Sequence, residues 1–354
     1  MVMRLGDISI GYDFPPYFIA DIAANHDGEI ERAFKLIELA KEAGAHAAKF
    51  QNFKAETIVS RHGFKSMNSQ LSHQKSWTKS VFEVYQDASI PDEWTRMLKE
   101  KCDSVSIEYM TSPYDIDSVD LADRYSSCIK IGSGDITWIG ILEHIAKKQK
   151  PVLLATGASD MSDVRKAVKA IQKYNTKIVL MQCNTNYTAE DSNFDHINLN
   201  VLKTYAKEFP HAILGLSDHT PGHETVLGAI ALGARVIEKH FTDDNFRDGP
   251  DHKFSMTPQS WREMVDASNK LYRALGDGEK RIEENELETA LVQRRSLYLV
   301  KDLDAGDTLE ACHLFPLRPA SPDGFEPYDV DKVTGSTLKR KVVKGSLLAS
   351  EDIT

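Results

Sequence analysis

The stretch AILGLSDHTPGHETVLGAIALGARVIEKHFTDD, residues 212–244, indicates the fold more clearly than any other part of the chain. It contains two short β-type runs, residues 212–216 and 236–239, and the segment ETVLGAIALG between them has the composition of a helix. Two strands joined through a helix are typically parallel strands of one sheet. Both runs end in polar residues, so the stretch predicts a strand–helix–strand unit with polar strand ends.

Six further β-type runs precede this stretch, and helix-like segments separate most of them. The eight predicted strands cover residues 17–22, 47–50, 105–110, 128–131, 152–155, 178–182, 212–216 and 236–239. Strands that alternate with helices predict an α/β fold with a parallel sheet, and the number eight favours closure into a (β/α)8 TIM barrel. An open doubly wound sheet is the alternative, but no glycine-rich dinucleotide-binding motif follows the first strand.

The chain changes character after the last barrel helix. We predict a catalytic barrel over residues 1–276, a polar linker over residues 277–294 and a small β-rich domain over residues 295–354, with turns at AGD, PDG and KG. One connection, residues 53–90, is unusually long for a compact domain. On a barrel it would rise from the C-terminal face, where it is either a cover for the substrate or an insertion without a function.

Composition excludes several classes of protein. The 354 residues include 43 Lys and Arg against 53 Asp and Glu, a formal net charge of −10, which argues against a surface for nucleic acid or anionic membrane. The four cysteines form no CxxC pair, so a disulfide scaffold or CxxC metal site is not expected. No apolar run approaches the roughly 20 residues of a membrane span, and the N-terminus lacks the apolar core of a secretory signal. A cytoplasmic enzyme is therefore the expectation.

Two histidines end neighbouring predicted strands. Barrel enzymes carry their active sites at the C-terminal ends of the strands, and a buried strand tolerates a polar side chain only where a partner or ligand satisfies it. Ser217 shares a strand face with His219, and Glu238 shares one with His240. The two imidazoles can converge on a divalent metal ion that polarises a carbonyl group. The alternative is a hydrogen-bonded pair of histidines that fills the mouth of the barrel.

Two lysines lie within predicted strands, where an unpaired cation would be unfavourable. Lys49 precedes the second strand end, and Lys130 begins the motif KIGSGD, whose backbone N–H groups can also bind an anion. The pair therefore suggests binding of a phosphate or carboxylate rather than Schiff-base chemistry. An ion pair with Asp21 or Asp135 is the alternative, and it could coexist with anion binding.

Read in order, the motifs ADIAANHDG, AKEAGAHAAKFQ, KIGSGD, ATG, GLSDHT, EKHFT and GPDHKFSM resemble those of the sialic acid synthase (N-acetylneuraminate synthase) family. GLSDHT and EKHFT at this spacing are the most specific of them. The resemblance covers almost the whole chain, because LYLVKDLDAGDTL, PLRPASPDGF and KGSLL look like the family's C-terminal antifreeze-like (SAF) domain.

The resemblance implies a reaction. Phosphoenolpyruvate would condense with the open-chain aldehyde of an N-acyl hexosamine, N-acetylmannosamine or a related acylamino sugar, to give a nine-carbon 2-keto acid and phosphate. A divalent ion, Mn²⁺ or Mg²⁺, on His219 and His240 would polarise the aldehyde. The resemblance also implies a domain-swapped homodimer in which Arg318 reaches the active site of the partner subunit.

Further site residues follow from the matching motif positions. Asp21, Lys49 and Asp135 correspond to catalytic residues. The positions expected to bind the substrates are Lys130, Ser133 and Ser217 around phosphoenolpyruvate, Gln51, Tyr187 and Asp251 near the sugar, and Ser112, Tyr114, Thr185 and Arg318 elsewhere in the substrate site.

Four positions depart from the family pattern. Asp21 and Asp135 stand where glutamate is usual, Ala155 replaces a serine, and Thr185 replaces an asparagine or serine. The shorter carboxylates would move the acid–base groups or accommodate a bulkier sugar. The sequence thus leaves the sugar open, and it also leaves two alternatives: an aldolase or synthase of a shorter 3-deoxy-2-keto sugar acid, and a barrel that binds an anionic sugar without turnover.

Overall fold

Strands and helices alternate along most of the chain, in a computed structural model that describes residues 1–67, 74–75 and 77–354. The strands are β1 (Val2–Leu5), β2 (Ile8–Gly11), β3 (Tyr17–Asp21), β4 (Ala47–Asn52), β5 (Glu108–Pro113), β6 (Ile129–Ile131), β7 (Val152–Ala155), β8 (Ile178–Cys183), β9 (Ile213–Asp218), β10 (Val236–His240), β11 (Ser296–Leu299) and β12 (Leu314–Leu317). The helices are α1 (Ile30–Glu42), α2 (Ala55–Ile58), α3 (Arg61–Ser66), α4 (Val81–Ala88), α5 (Asp92–Ser104), α6 (Ile116–Tyr125), α7 (Ile139–Lys147), α8 (Met161–Gln172), α9 (Val201–Glu208), α10 (Glu224–Ala231), α11 (Pro258–Leu275), α12 (Leu287–Gln293) and α13 (Val330–Val333).

Strands β3 to β10 form a nearly closed parallel barrel. Their hydrogen-bonded order is β5-β4-β3-β10-β9-β8-β7-β6, and β5 and β6 at its two ends lie beside each other without a continuous ladder. The α/β alternation of the sequence requires this arrangement, because each parallel strand needs a crossover helix before the next one. The predicted (β/α)8 barrel is therefore confirmed.

An N-terminal hairpin seals one end of the barrel. Strands β1 and β2 pair antiparallel around a turn in which Gly6 has a positive φ of 58°. Met3, Leu5 and Ile10 of the hairpin pack in one buried cluster with residues from the beginnings of the barrel strands. The sequence analysis did not predict this hairpin. Apolar side chains fill this end of the barrel, and the polar strand ends lie at the opposite end.

One predicted strand was misplaced. The third barrel strand, predicted over residues 105–110, is β5, Glu108–Pro113, because α5 continues to Ser104 and Ser106 turns the chain with a φ of 57°. The long connection over residues 53–90 contains α2, α3 and α4. Residues 68–73 and 76 of that connection lie outside the described residues.

The chain divides into two compact units, Met1–Gly276 and Asp277–Thr354. The second unit begins with the predicted linker, which contains α12, and continues with the antiparallel pair β11 and β12. Its leucine-rich core, which includes Leu297, Leu309 and Leu348, is separate from that of the barrel. Within the described ranges, no helix has the length and apolar character needed to cross a bilayer.

Candidate active site

Two lysines and two carboxylates lie buried together inside the barrel. The Nζ atom of Lys49 lies 2.6 Å from Oδ2 of Asp21 and 3.8 Å from Oε1 of Glu238. The same Oε1 atom lies 3.2 Å from Nζ of Lys130. Each of the four residues is at most 4% exposed. A buried charge is unfavourable unless it is paired, and here two cations face two anions, so the cluster is neutral overall.

The charges in this cluster favour the ionised forms of Lys49 and Glu238. Burial opposes ionisation of Lys49, but Asp21 and Glu238 together raise its pKa above the ordinary value. Burial likewise opposes ionisation of Glu238, yet Lys130 and Lys49 hold the pKa of that carboxyl below its ordinary value. The pKa of Asp21 is raised, chiefly by burial, with Lys49 opposing. Lys49 is therefore an ammonium group at neutral pH, and Glu238 is the more firmly ionised carboxylate.

Two serines hydrogen-bond directly to the cluster. Lys49 donates from Nζ to Oγ of Ser112 over 3.3 Å, and Ser217 donates from Oγ to Oε1 of Glu238 over 3.1 Å. The other oxygen of Glu238, Oε2, is buried and has no hydrogen-bond partner among the described residues. A buried carboxylate oxygen in this state is a ready acceptor for a ligand or a water molecule.

A second set of small polar groups surrounds Gly157. Its backbone N–H donates to Oγ of Ser133 over 2.9 Å. A Cβ atom at this position would lie only 1.9 Å from Oγ1 of Thr185, so the close approach requires glycine. Oγ1 of Thr185 is buried without a hydrogen-bond partner in the described part of the chain. The predicted residues Ser133 and Thr185 are thus brought to one place.

His219 and His240 lie beside each other, as the sequence predicts. Their ring centroids are 5.4 Å apart, and the ring of Tyr187 is 4.4 Å from that of His219. Nδ1 of His219 lies 2.9 Å from the carbonyl oxygen of Asn184, which can only accept, so Nδ1 carries the proton. Burial is the main cause that holds the pKa of His240 well below its ordinary value, and the neighbouring imidazole of His219 contributes in the same direction.

These residues fit a divalent cation. Nδ1 of His240 is buried and, among the described residues, no group hydrogen-bonds to it. Oδ2 of Asp21 lies 3.6 Å from Nε2 of the same ring, and Oδ2 of Asp251 lies 3.9 Å from Nδ1. Neutral imidazole nitrogens and carboxylate oxygens suit Mn²⁺ and related ions, and a ligand histidine commonly donates its other N–H to a carbonyl, as His219 does.

Polar residues expected near the sugar line one cavity of about 160 Å³ that His240 also lines. Gln51 donates from Nε2 to Oδ2 of Asp21 over 3.3 Å. Asp251 accepts the backbone N–H of Ala24 over 3.1 Å, and burial raises its pKa to about 6. Tyr114 and Tyr187 complete the polar lining. The structure therefore brings the predicted sugar-binding residues of the barrel to the same place as the histidine pair.

Asp135 lies in the turn Ser133–Asp135 that follows β6. Burial raises the pKa of its carboxyl group to about 6. Its negative charge in turn contributes, after burial, to the raised pKa of Tyr114 in the cavity wall. A carboxyl group with a pKa near 6 is present in both protonation states close to neutral pH, which suits proton transfer.

Arg318 belongs to the second unit and is exposed. Its Nε atom donates to the carbonyl oxygen of Gln293 over 2.6 Å. Its predicted role at a partner's active site stays a prediction.

A separate group of metal-ligand types, Glu310, Cys312 and His313, lies in the second unit. Nδ1 of His313 accepts the backbone N–H of Glu310 over 3.1 Å, so the ring proton of the neutral form sits on Nε2. Neither ring nitrogen then offers a free lone pair. The group acts as a cap of the short turn Ala311–His313, and the barrel histidines are the better metal candidates.

Glu238 was missed as a functional residue, although it shares a strand face with His240. A buried acid within a strand, two positions before a histidine at the strand end, is the signal that could have found it. Cys183 was missed as well. Burial raises the pKa of its thiol, but the hydrogen bond to His219 and the charge of that ring, with Ser133 and Lys130, together lower the pKa below its ordinary value. The alternative of plain ion pairs holds for Lys49 with Asp21, whereas Lys130 pairs with Glu238 rather than with Asp135.

Comparison with known proteins agrees with this geometry. Residues 36–280 match the family model of the NeuB family, and residues 294–354 match that of the SAF domain. The N,N'-diacetyllegionaminic acid synthase of Legionella pneumophila is 35% identical over 95% of this chain and 94% of its own. Human N-acetylneuraminate-9-phosphate synthase is 27% identical over 97% of this chain and 94% of its own.

A solved structure shows the same fold. The N-acetylneuraminic acid (sialic acid) synthetase of Leptospira borgpetersenii, determined in complex with citrate, superposes with a TM-score of 0.71 at 27% identity. The match covers 82% of this chain and 95% of that one. These matches confirm the resemblance found in the motifs: the chain belongs to the NeuB family and carries a C-terminal SAF domain.

Proposed function

We propose that this protein is a nonulosonic acid synthase. It condenses phosphoenolpyruvate with the open-chain aldehyde of an N-acyl hexosamine and releases phosphate and a nine-carbon 2-keto acid. The observation that carries the proposal is the buried cluster of Lys49, Lys130 and Glu238 beside His219 and His240. The names of the relatives, synthases of legionaminic and N-acetylneuraminate-type acids, support the same reaction.

The lysines provide the site for the anionic substrate. Phosphoenolpyruvate carries a phosphate and a carboxylate, and both groups suit ammonium donors supplemented by hydroxyl and backbone N–H groups. Asp21 lies beside Lys49, and Glu238 lies beside both Lys49 and Lys130. These ion pairs orient the two lysine side chains before the substrate binds.

A divalent ion, Mn²⁺ or Mg²⁺, would be held by His219 and His240, with Asp21 and Asp251 nearby, and would supply Lewis-acid polarisation of the aldehyde carbonyl. The protonation of the two histidines leaves one nitrogen of each ring able to bind the ion. His240 is held neutral by burial, and His219 directs its Nδ1–H to the carbonyl of Asn184.

The carboxyl groups move the protons. A bond forms between the methylene carbon of phosphoenolpyruvate and the aldehyde carbon, and the aldehyde oxygen gains a proton. Water then adds to the cationic carbon that remains, loses a proton, and the C–O bond to phosphate breaks. Asp135, with its pKa near 6, and Asp21, with its raised pKa, are the groups we assign to these transfers.

A Schiff-base aldolase is the second candidate. It needs an unprotonated amine, and Lys49 is a candidate because it pairs with Asp21, which accepts a hydrogen bond from the cavity residue Gln51. Because Asp21 and Glu238 raise the pKa of Lys49 despite its burial, this amine is protonated at neutral pH. Borohydride should therefore trap no substrate on Lys49 or Lys130, and a trapped adduct would support the aldolase.

We also propose a homodimer in which Arg318 completes the partner's sugar site. The support is its exposed position in the SAF-type unit and the exposed apolar residues of that unit, among them Leu291 and Phe315. This surface lies on a unit whose own core is complete, so an apolar partner is a natural cover. The expected cytoplasmic location stays a prediction.

The test is a reaction with purified protein, phosphoenolpyruvate, Mn²⁺ and a panel of N-acyl hexosamines. Phosphate and 2-keto acid should form in equal amounts, and only when a sugar is present. No turnover with any sugar would count against the synthase. Binding of phosphoenolpyruvate by calorimetry without any turnover would instead favour a barrel that binds without catalysis.

A further inference from the structure

The connection between β10 and α11, residues 241–257, carries Asp251 into the cavity that His240 lines. Oδ2 of Asp251 accepts the backbone N–H of Ala24, which lies in the connection between β3 and α1, residues 22–29. The position of this carboxyl group therefore depends on how the two connections are held against each other.

A buried histidine ties the two connections together directly beside Asp251. The side chain of His252 is fully buried, and both of its ring nitrogens have partners. Nε2 lies 2.9 Å from Oδ1 of Asp27 in the connection after β3, and Nδ1 lies 2.7 Å from Oγ1 of Thr242. Because a carboxylate only accepts hydrogen bonds, Nε2 is the donor towards Asp27. His252 is thus fixed at both edges of its ring.

The backbone around Asp251 is shaped to admit this ring. A Cβ atom at Gly249 would lie 2.6 Å from Cδ2 of His252, so the close approach requires glycine. Asn245 donates from Nδ2 to the carbonyl oxygen of His252 over 2.6 Å, and Ser255 donates from Oγ to that of Asp251 over 2.6 Å. The turn that carries Asp251 is therefore held by its own side chains as well as by the histidine.

Asp27 is the anion to which this turn is attached. Its Oδ2 atom accepts the Nε–H of Arg247 over 2.9 Å and lies 3.0 Å from Nε of Arg32 in α1. Burial opposes ionisation of Asp27, but hydrogen bonds from His252 and Arg247 lower the pKa of Asp27 below its ordinary value. The carboxylate thus holds the turn on both sides of Asp251, through Arg247 before it and His252 after it.

We infer that Asp27 and His252 are positioning residues for Asp251. The hydrogen bond between them sets the direction of the Asp251 carboxyl group, which the proposed reaction places near the sugar. The inference rests on the proposed synthase function. The two side chains act through Asp251 rather than on the substrate, and a misplacement of about 1 Å in such a group is enough to lower the rate by about 100-fold.

Asp27→Asn is the first variant, because it keeps the side-chain shape and removes the charge that Arg247 faces. We expect kcat/KM for the sugar to fall by about tenfold, mainly through KM for the sugar, while KM for phosphoenolpyruvate changes by less than about twofold. Asp120→Asn is the matched control, because Asp120 of α6 also pairs with a histidine and a lysine. It should leave both KM values unchanged. Equal losses in the two variants would overturn the inference.

Two substitutions of His252 separate its contact with Asp27 from the packing of the ring. His252→Gln places an amide near the position of Nε2 and can still donate to Asp27, whereas the shorter side chain of His252→Asn reaches only the position of Nδ1. The Asn variant should lose about tenfold in kcat/KM for the sugar, and the Gln variant should recover most of that loss. Circular dichroism checks that both fold. Equal losses in the two folded variants would overturn the role of the hydrogen bond.

A double-mutant cycle distinguishes positioning from a direct role. In the background of Asp251→Ala the group to be positioned is absent, so Asp27→Asn should weaken sugar binding by less than about twofold, against about tenfold in the wild-type background. Binding is measured by calorimetry with the borohydride-reduced form of the N-acyl hexosamine that the wild type turns over. This probe cannot react, so an inactive variant stays informative.

The outcomes separate the inference from the function on which it rests. Additive losses in the cycle would overturn the inference and leave the synthase function intact. Absence of turnover by the wild type with every N-acyl hexosamine would overturn the synthase function, and the inference with it.

Discussion

Single residues decide the chemistry of this site through their surroundings rather than through their type. Lys49 and Lys130 would be unfavourable inside a barrel if they stood alone, yet Asp21 pairs with the first and Glu238 with the second. Asp135 shows the opposite case, because burial without a cation beside it keeps the neutral acid accessible near neutral pH. The same carboxyl chemistry thus serves as a fixed counter-ion at one position and as a proton carrier at another.

Asp135→Asn should change how stability depends on pH. Burial raises the pKa of Asp135 to about 6 from an ordinary value of 3.8, so the folded protein binds this proton more tightly than the unfolded chain. The contribution of this group to the free energy of unfolding is therefore fully present below about pH 4 and is lost as the pH rises through about 6. The amide side chain of the variant does not titrate, so the variant does not lose this contribution, which is on the order of 1 kcal/mol after solvent screening of a half-buried group.

The measurement is the Tm of both proteins at pH 4.5 and pH 7. The Tm of the variant minus the Tm of the wild type should be larger at pH 7 than at pH 4.5. Identical differences at the two pH values would show that the carboxyl group of Asp135 has an ordinary pKa.

At the scale of elements, a second buried ion pair fixes the two strands that carry the histidines. Lys239 of β10 hydrogen-bonds to Asp218 of β9 and to the carbonyl oxygen of Thr220, and both charged side chains are 1% exposed. Asp218 also accepts hydrogen bonds from the hydroxyls of Thr220 and Thr225. Asp218 directly precedes His219 in the chain, and Lys239 directly precedes His240. The ion pair therefore fixes the positions of the two histidines relative to each other.

Lys239→Met should destabilise the barrel by about 3–5 kcal/mol, because it leaves the charge of Asp218 buried and unpaired. The double variant Asp218→Asn with Lys239→Met removes that charge and should recover a substantial part of the loss. Thermal unfolding of the three proteins checks this. A single variant as stable as the wild type, or a double variant no better than the single one, would contradict the account.

Element boundaries show where sequence reasoning reached its limit. β-type runs separated by helix-like segments located seven of the eight barrel strands closely, because a buried parallel strand is a short, nearly continuous apolar run. The third strand was predicted three residues too early. Its true start follows a turn at Ser106, which has a φ of 57°, and the residue types do not reveal this turn. The N-terminal hairpin was not predicted because each of its strands is only four residues long.

The site itself was largely predictable within the barrel. The parallel barrel places all strand C-termini at one end, so residues such as Gln51 and Asp251 meet once the strands are assigned. The sequence could not predict which charged side chains form ion pairs with each other. Alternation shows that Glu238 faces the same side as His240, but only the register of the strands shows that Glu238 lies between Lys49 and Lys130.

For the whole molecule, the proposed domain-swapped dimer makes each active site from two chains. His240→Ala then inactivates the barrel of its own subunit, whereas Arg318→Ala impairs the barrel of the partner. In a mixed dimer, one site combines an intact barrel with an intact Arg318. A mixture of the two variants, after subunit exchange, should therefore be more active than either variant alone.

The assay is phosphate release at a fixed total concentration of subunits. A mixture that shows only the mean of the two separate activities would mean that Arg318 acts within its own chain or not at all. Analytical ultracentrifugation of the wild type provides the control, since the experiment presupposes a dimer.

The account depends most on a metal ion held between the ends of β9 and β10. The direct measurement is Mn²⁺ binding by electron paramagnetic resonance, paired with 2-keto acid formation, for the wild type and for His219→Ala with His240→Ala. We predict that the wild type binds one Mn²⁺ per subunit and loses its activity to a chelator, and that the double variant neither binds the ion nor turns over, while both remain folded by circular dichroism. A chelator-treated wild type or a double variant that works at full rate would contradict the account.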